Sequence, residues 1–161
     1  MVDWCENKLT VTGDWDSLMG FLTKCINPEG RFSFDELVPT PVGSGQQWRL
    51  DNWGTCADAE PDEECPGDVS YYIQRILRGY EFSTSFETQW SPPREWIKKA
   101  SSQFPNLLFT LSYFEREQFF CGELVVSAGS EIRNDYEDSD CDYFWDILAR
   151  TQDYAKPDIF V

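Results

Sequence analysis

The chain has 161 residues, 41% apolar and 16% aromatic, which is enough for one domain with a proper core. Its formal charge of −16 and pI near 4.2 set it against nucleic acid and anionic membranes as direct partners and leave basic surfaces as the natural ones. No apolar run approaches the roughly 18 residues a membrane span needs. There is no histidine, which removes Ser-His and Cys-His nucleophile pairs and the commonest zinc nitrogen ligand.

Asn7, Leu9 and Val11 alternate with Lys8, Thr10 and Thr12, the pattern of a strand with one buried face. Gly13 ends it. Asp14 then caps a helix through Cys25, whose face is Trp15, Leu18, Leu22 and Cys25 with Met19 and Ile26 alongside. "RFSFDELVPTPVGSG" reads as a short extended piece followed by loop, and "QQWRLDNWGT" as aromatic and irregular. "ADAEPDEECPGD" is a polar loop. "VSYYIQ" and "YEFSTSFET" read as strands. "SPPREWIKKASSQF" predicts a helix capped by Ser91, with Pro92 in its first position and Trp96, Ile97, Ala100 and Phe104 on its face. "LLFTLSYFE" and "FFCGELVVSAG" predict two more strands, and an amphipathic helix follows from about Asp142 to Thr151.

That order predicts an α+β, ferredoxin-like sandwich: helices on one face of a mostly antiparallel sheet. The chain is read as a single domain over 1–161, with an acidic helical extension over about 130–161. The N-terminus lacks a basic region followed by an apolar one, so the expected compartment is the cytoplasm and the expected state of the six cysteines is the free thiol.

"WCENKLTVTG", "FSFDELVPTP", "WRLDNWGT", "FETQWSPP" and "LSYFE" followed by a Gly-Glu strand occur in this order. Together they resemble the YubB ferredoxin-like domain family, found in plasmids and phages, over roughly residues 2–126. The resemblance implies the same fold and an origin in mobile elements. It implies no chemistry. The chain departs from the family pattern after "NWGT", where it reads Cys56, Ala57, Asp58, and after "YFE", where it reads Arg116, Glu117, Gln118.

No metal site is complete. Asp138, Asp140 and Asp142 take the first three ligand spacings of a calcium loop, but Tyr143 stands where glycine belongs and Ala149 where the bidentate glutamate belongs. Cys56 and Cys65 form no C-x-x-C pair. No cofactor is expected, since "VGSGQQ" lacks the lysine of a phosphate loop. Glu115 and Glu123, on neighbouring strands, are the carboxylate pair to weigh for acid–base work, against a bland reading as solvated strand positions. Trp48, Asn52, Trp53, Thr55 and Trp90 are candidates for a small-ligand pocket, against a reading as core plugs.

Charge is the most informative feature. Residues 57–68 carry −6, including Asp62, Glu63 and Glu64, and residues 131–146 carry another −6. These 28 residues therefore hold −12 of the −16. A helix N-terminus wants one or two acids, so the five between 135 and 142 exceed that need. Carboxylates two residues apart in an extended chain are about 6.6 Å apart, close to two rises of one DNA strand, about 3.4 Å each. Asp135, Glu137, Asp138, Asp140 and Asp142 are thus expected to stand in for backbone phosphates, with Tyr136, Tyr143 and Trp145 as apolar anchors, and Asp62, Glu63 and Glu64 are expected to bind the partner as well. The expected function is non-enzymatic. It is binding and inhibition of a basic, nucleic-acid-binding host protein, a defence effector such as a CRISPR nuclease or restriction enzyme. The alternative is a ligand-binding or enzymatic pocket around Asn52, Trp53, Thr55 and Trp90.

Overall fold

A computed structural model describes residues 2–61, 73, 76, 80–115, 117 and 120–138, with the backbone alone for 137 and 138. Strand β1 (Trp4–Thr12) alternates as the sequence predicts. Cys5, Asn7, Leu9 and Val11 point inward and the residues between them are half-exposed. Helix α1 (Trp15–Cys25) begins at Asp14, whose Oδ2 accepts the Ser17 N–H at 3.0 Å.

The next stretch is more regular than its sequence suggests. Phe32 bridges Ile26, and Phe34–Leu37 forms the one-turn helix α2. Its cap comes from far along the chain: the Asp58 carboxylate accepts from Ser33 Oγ and Phe34 N, both at 2.6 Å. "QQWRLDNW" is also helical, α3 (Gln46–Trp53). It shows no clear stripe because Trp53 is its sole buried residue, which is why periodicity misses it. Gly54 ends α3 at φ 86°, and a side chain there would meet the backbone nitrogen of Arg94 at 3.0 Å.

Strand β2 (Glu60–Pro61) is short; β3 is Glu81–Gln89. The strand expected at "VSYYIQ" falls mostly outside the described residues, but Ile73, and Ile76 just beyond it, are helical. Helix α4 (Arg94–Gln103) starts later than expected, with Pro93 rather than Ser91 at the cap position. Ser91 Oγ donates instead to the Gly54 carbonyl at 2.5 Å. Strands β4 (Leu108–Glu115) and β5 (Phe120–Ser127) follow as predicted. Strand β6 (Ser130–Asp138) stands where the sequence reads as acidic extension and predicts no strand. "SEIRNDYED" has only Ile132 and Tyr136 as apolar residues and hence no readable alternation. The helix expected from Asp142 lies outside the described residues.

All pairings are antiparallel, in the order β2-β3-β1-β4-β5-β6. The helices cover one face, and the core between is aromatic. Phe21 of α1 meets Phe82, Trp96, Phe104 and Phe109 edge-on, with centroids 5.3–6.4 Å apart. Phe34 does the same for Trp53, Phe86 and Phe32.

Replacing Phe21 by Ala should cost about 3–5 kcal/mol, because the cavity opens among four rings that cannot all close on it. Urea unfolding measures it, and a loss below about 1 kcal/mol would contradict this packing. Cys5, Cys25, Cys56 and Cys121 are buried, and burial pushes the Cys5 and Cys25 thiols up. These four should resist thiol reagents in the native protein at neutral pH and react on denaturation. Rapid native labelling of Cys5 or Cys25 would contradict it.

Candidate functional site

The structure turns the start of the second acidic segment into an edge of the sheet. Strand β6 pairs with β5 from Phe120↔Asp138 to Ser127↔Ser130, with a bulge where Val125 and Val126 face Arg133 and Glu131. Its charges are partly answered within the fold. Glu131 reaches Arg94 at 2.9 Å and Lys98 at 3.0 Å, both on α4. Arg133 pairs with Asp135 at 3.0 Å and with Glu123 across the strand. Glu123 also accepts from Ser112 Oγ at 3.2 Å. The first acidic segment is anchored similarly. Asp58 caps α2 and accepts the Ala59 N–H at 2.7 Å, and Glu60 pairs with Arg31 at 3.0 Å.

The two anchored ends lie on opposite edges of the sheet, β2 and β6. Five strand spacings of about 4.8 Å put them roughly 24 Å apart. A single cross-strand row nevertheless joins them: Glu60, Glu87, Glu6, Phe114, Cys121 and Glu137 occupy successive register positions. Glu60, Glu87 and Glu6 thus sit side by side on three adjacent strands, away from the helices. Like charges directly opposite weaken a sheet. Glu6 and Glu87 did not figure among the sequence-predicted residues, since each is one acid in a strand of mixed composition and only the pairing brings them together.

Of the sequence-predicted partner residues, Asp135 is on the open face of the sheet beside Arg133. Glu137 shares its register parity and Asp138 has the opposite one, so these three do not form one row. Asp140, Asp142, Tyr143, Trp145, Asp62, Glu63 and Glu64 lie outside the described residues. Tyr136, 59% exposed, lies tilted against Phe120 with centroids 5.8 Å apart, and Phe120 meets Tyr113 at 6.2 Å. With Leu50 and Arg94 these rings line a cleft of about 420 Å³ on the helix side of the sheet edge. Gly122 is required there because the Tyr113 hydroxyl fills the space a side chain would take. Burial pushes the Tyr113 phenol up to about 12.

The aromatic-pocket expectation needs correction. Trp53 is buried and donates its indole N–H to the Val38 carbonyl at 3.0 Å, with Trp48 edge-on against it. Asn52 donates back along its own helix to Trp48 O at 2.9 Å. Thr55 is buried and donates to Gln89 O at 2.7 Å. Trp90 is 43% exposed and sits at φ 71°, at the end of β3. Trp53 lines a cleft of about 480 Å³ shared with Asp35, Arg49 and Asp58.

What these motifs build is a latch. Asn7 donates to Thr88 Oγ1 at 2.9 Å, Thr88 to Ser91 O at 2.7 Å, and Ser91 to Gly54 O at 2.5 Å. "WCENK", "NWGT" and "FETQWSPP" are therefore three parts of one polar chain, buried at Asn7 and Thr88 and partly buried at Ser91 and Gly54. Asn7 and Thr88, polar residues at inward strand positions, were the readable signal. The carboxylate pair is corrected too. Glu115 and Glu123 are three register positions apart with opposite parity, so they cannot act on one substrate atom.

A family model described as a ferredoxin-like domain in Api92-like protein matches residues 71–155. Among solved structures, the crystal structure of a protein api92 from Yersinia pseudotuberculosis superposes with a TM-score of 0.53 at 10% sequence identity. The match covers 86% of this chain and 98% of that one, and it shows a shared fold. No curated protein matches the chain in sequence.

Hydrogen bonding to Lys98, then to Arg94, holds the Glu131 carboxyl below its ordinary value of 4.5. A lowered folded pKa contributes stability above the unfolded value, lost as pH falls through the folded one. Glu131→Gln should therefore destabilise the protein at pH 7 by about 1 kcal/mol. The gap should shrink as pH falls below the ordinary carboxylate range. A gap unchanged between pH 7 and pH 3 in denaturant titrations would contradict this role.

Proposed function

The chain belongs to the family of ferredoxin-like domains in Api92-like proteins, a description that names a fold and no reaction, and we propose that it is a non-enzymatic binding protein. Its acidic surface engages the Lys and Arg side chains of a nucleic-acid-binding host protein in the cytoplasm, excluding DNA or RNA from it. The resemblance to a family of plasmids and phages favours a host defence effector as that target.

The observation that carries this reading is the placement of charge: −12 of the −16 resides in two segments. Asp58, Glu60, Glu131 and Asp135, at or near the inner ends of those segments, are tied to the fold. The acids with which to engage a partner are then mainly those of 62–68 and 137–146. The row of Glu60, Glu87, Glu6 and Glu137 adds negative potential between the two edges. A salt-adapted protein would spread its acids evenly, which this one does not. No described helix is long and apolar enough to cross a membrane.

Affinity capture from host lysate at low salt, eluted at high salt, yields the target for a competition assay. Replacing Glu137, Asp138, Asp140 and Asp142 by Asn and Gln, which spares the structural Asp135, should leave the fold intact. It should weaken binding by orders of magnitude, chiefly by slowing association and flattening the salt dependence. DNA or RNA and this protein should exclude each other on the target. Simultaneous binding of both, or full inhibition by the neutralised variant, would overturn mimicry.

A further inference from the structure

We propose that β6 is a docking edge, onto which the partner adds an extended segment of alternating basic and apolar residues as a further antiparallel strand. This rests on the reading of the protein as a binder of basic proteins, and it names how that partner is held.

Three observations lead there. First, β6 is nine residues long and, among the described residues, no strand pairs with its outer side. Along such an edge about half the backbone N–H and C=O groups point away from the sheet and can template another strand. Second, its exposure is not that of a purely solubilising edge: Ile132 is 64% exposed and Tyr136 59%. Third, charge selects the occupant. Residues 131–138 carry a net −3, so a second copy of this chain placed alongside brings net repulsion even in the register that faces Arg133 with Asp135, whereas a basic strand brings net attraction.

Register gives the partner its pattern. Positions Arg133, Asp135 and Glu137 share the open face, and Tyr136 faces the other way, onto Phe120 and the cleft that Leu50 and Arg94 also line. A strand added to β6 would place Lys or Arg beside Asp135 and Glu137. Its alternate residue would meet Tyr136 at the cleft mouth, where an aliphatic or aromatic side chain fits the exposed ring and Leu50. The bulge at Val125/Val126 increases local twist and so limits how far the added strand can run toward Ser130.

The probe is a synthetic peptide alternating Arg with Val and Tyr, added to the full-length protein labelled with nitrogen-15. The expected result is saturable binding that shifts the β6 amides, weakened by salt and lost with a Glu-for-Arg peptide. The deciding arm is the same Arg peptide N-methylated on alternate residues, which keeps its charge and cannot pair along an edge. N-methylation should weaken binding about tenfold or more. Tyr136→Ala should speed dissociation without changing the salt dependence. Equal binding of the methylated peptide would overturn strand addition while leaving the acidic-binder reading in place. Binding with no response at β6, or dimerisation of the protein through β6, would overturn it as well. Loss of target binding by the charge-neutralised variant tests the broader reading separately.

Discussion

A single buried amide organises this protein. Asn7 sits on the core side of β1, among residues that are otherwise apolar, and its Nδ2 serves Cys5 O at 3.0 Å and Thr88 Oγ1 at 2.9 Å. A buried polar group left unmet costs about 1–3 kcal/mol, so Thr88 must face it, and Thr88 in turn commits its hydroxyl to Ser91 O. Ser91 then holds Gly54, and Gly54 packs against the first turn of α4. Helix α4 carries Arg94 and Lys98, which grip Glu131 and so seat β6. The chain of contacts runs from the N-terminal strand to the acidic edge without a gap. It accounts for the small residues in "NWGT" and "QWSPP": Gly54 cannot carry a side chain, and Ser91 is needed for its hydroxyl rather than as a helix cap.

The acidic segments have two physical roles that composition alone merges. Asp58 caps a helix, and Glu131 and Asp135 close ion pairs. These are structural acids. Beyond them the segments continue with acids and almost no bases. Charge on an edge strand also discourages indiscriminate pairing with other chains. Under the proposed reading, a net-negative edge that keeps Ile132 and Tyr136 exposed would disfavour its own copy and favour a partner of opposite charge. The acidic surface would then govern encounter and the edge strand the bound geometry.

Two buried tryptophans are packing residues rather than pocket residues. Trp53 and Trp96 each use their indole N–H on a backbone carbonyl, of Val38 and Phe34. A buried ring with its one donor already spent has nothing polar left to offer a ligand. Among the described residues the exposed rings are elsewhere, at Tyr80, Trp90 and Tyr136.

The sequence by itself determined the α+β class, β1, α1, β3, β4, β5 and most of α4, because each has a periodicity or a cap readable within a dozen residues. It also determined the concentration of charge. Tertiary structure alone decided α2, α3 and β6. Helix α2 depends on Asp58, more than twenty residues away, for its cap; α3 buries only Trp53; and β6 is a strand because β5 offers it an edge, its own pattern being almost wholly polar. The acidic row through Glu60, Glu87 and Glu6 is likewise a product of register, since strand pairing sets side by side residues that the chain keeps far apart, and no local pattern encodes that adjacency.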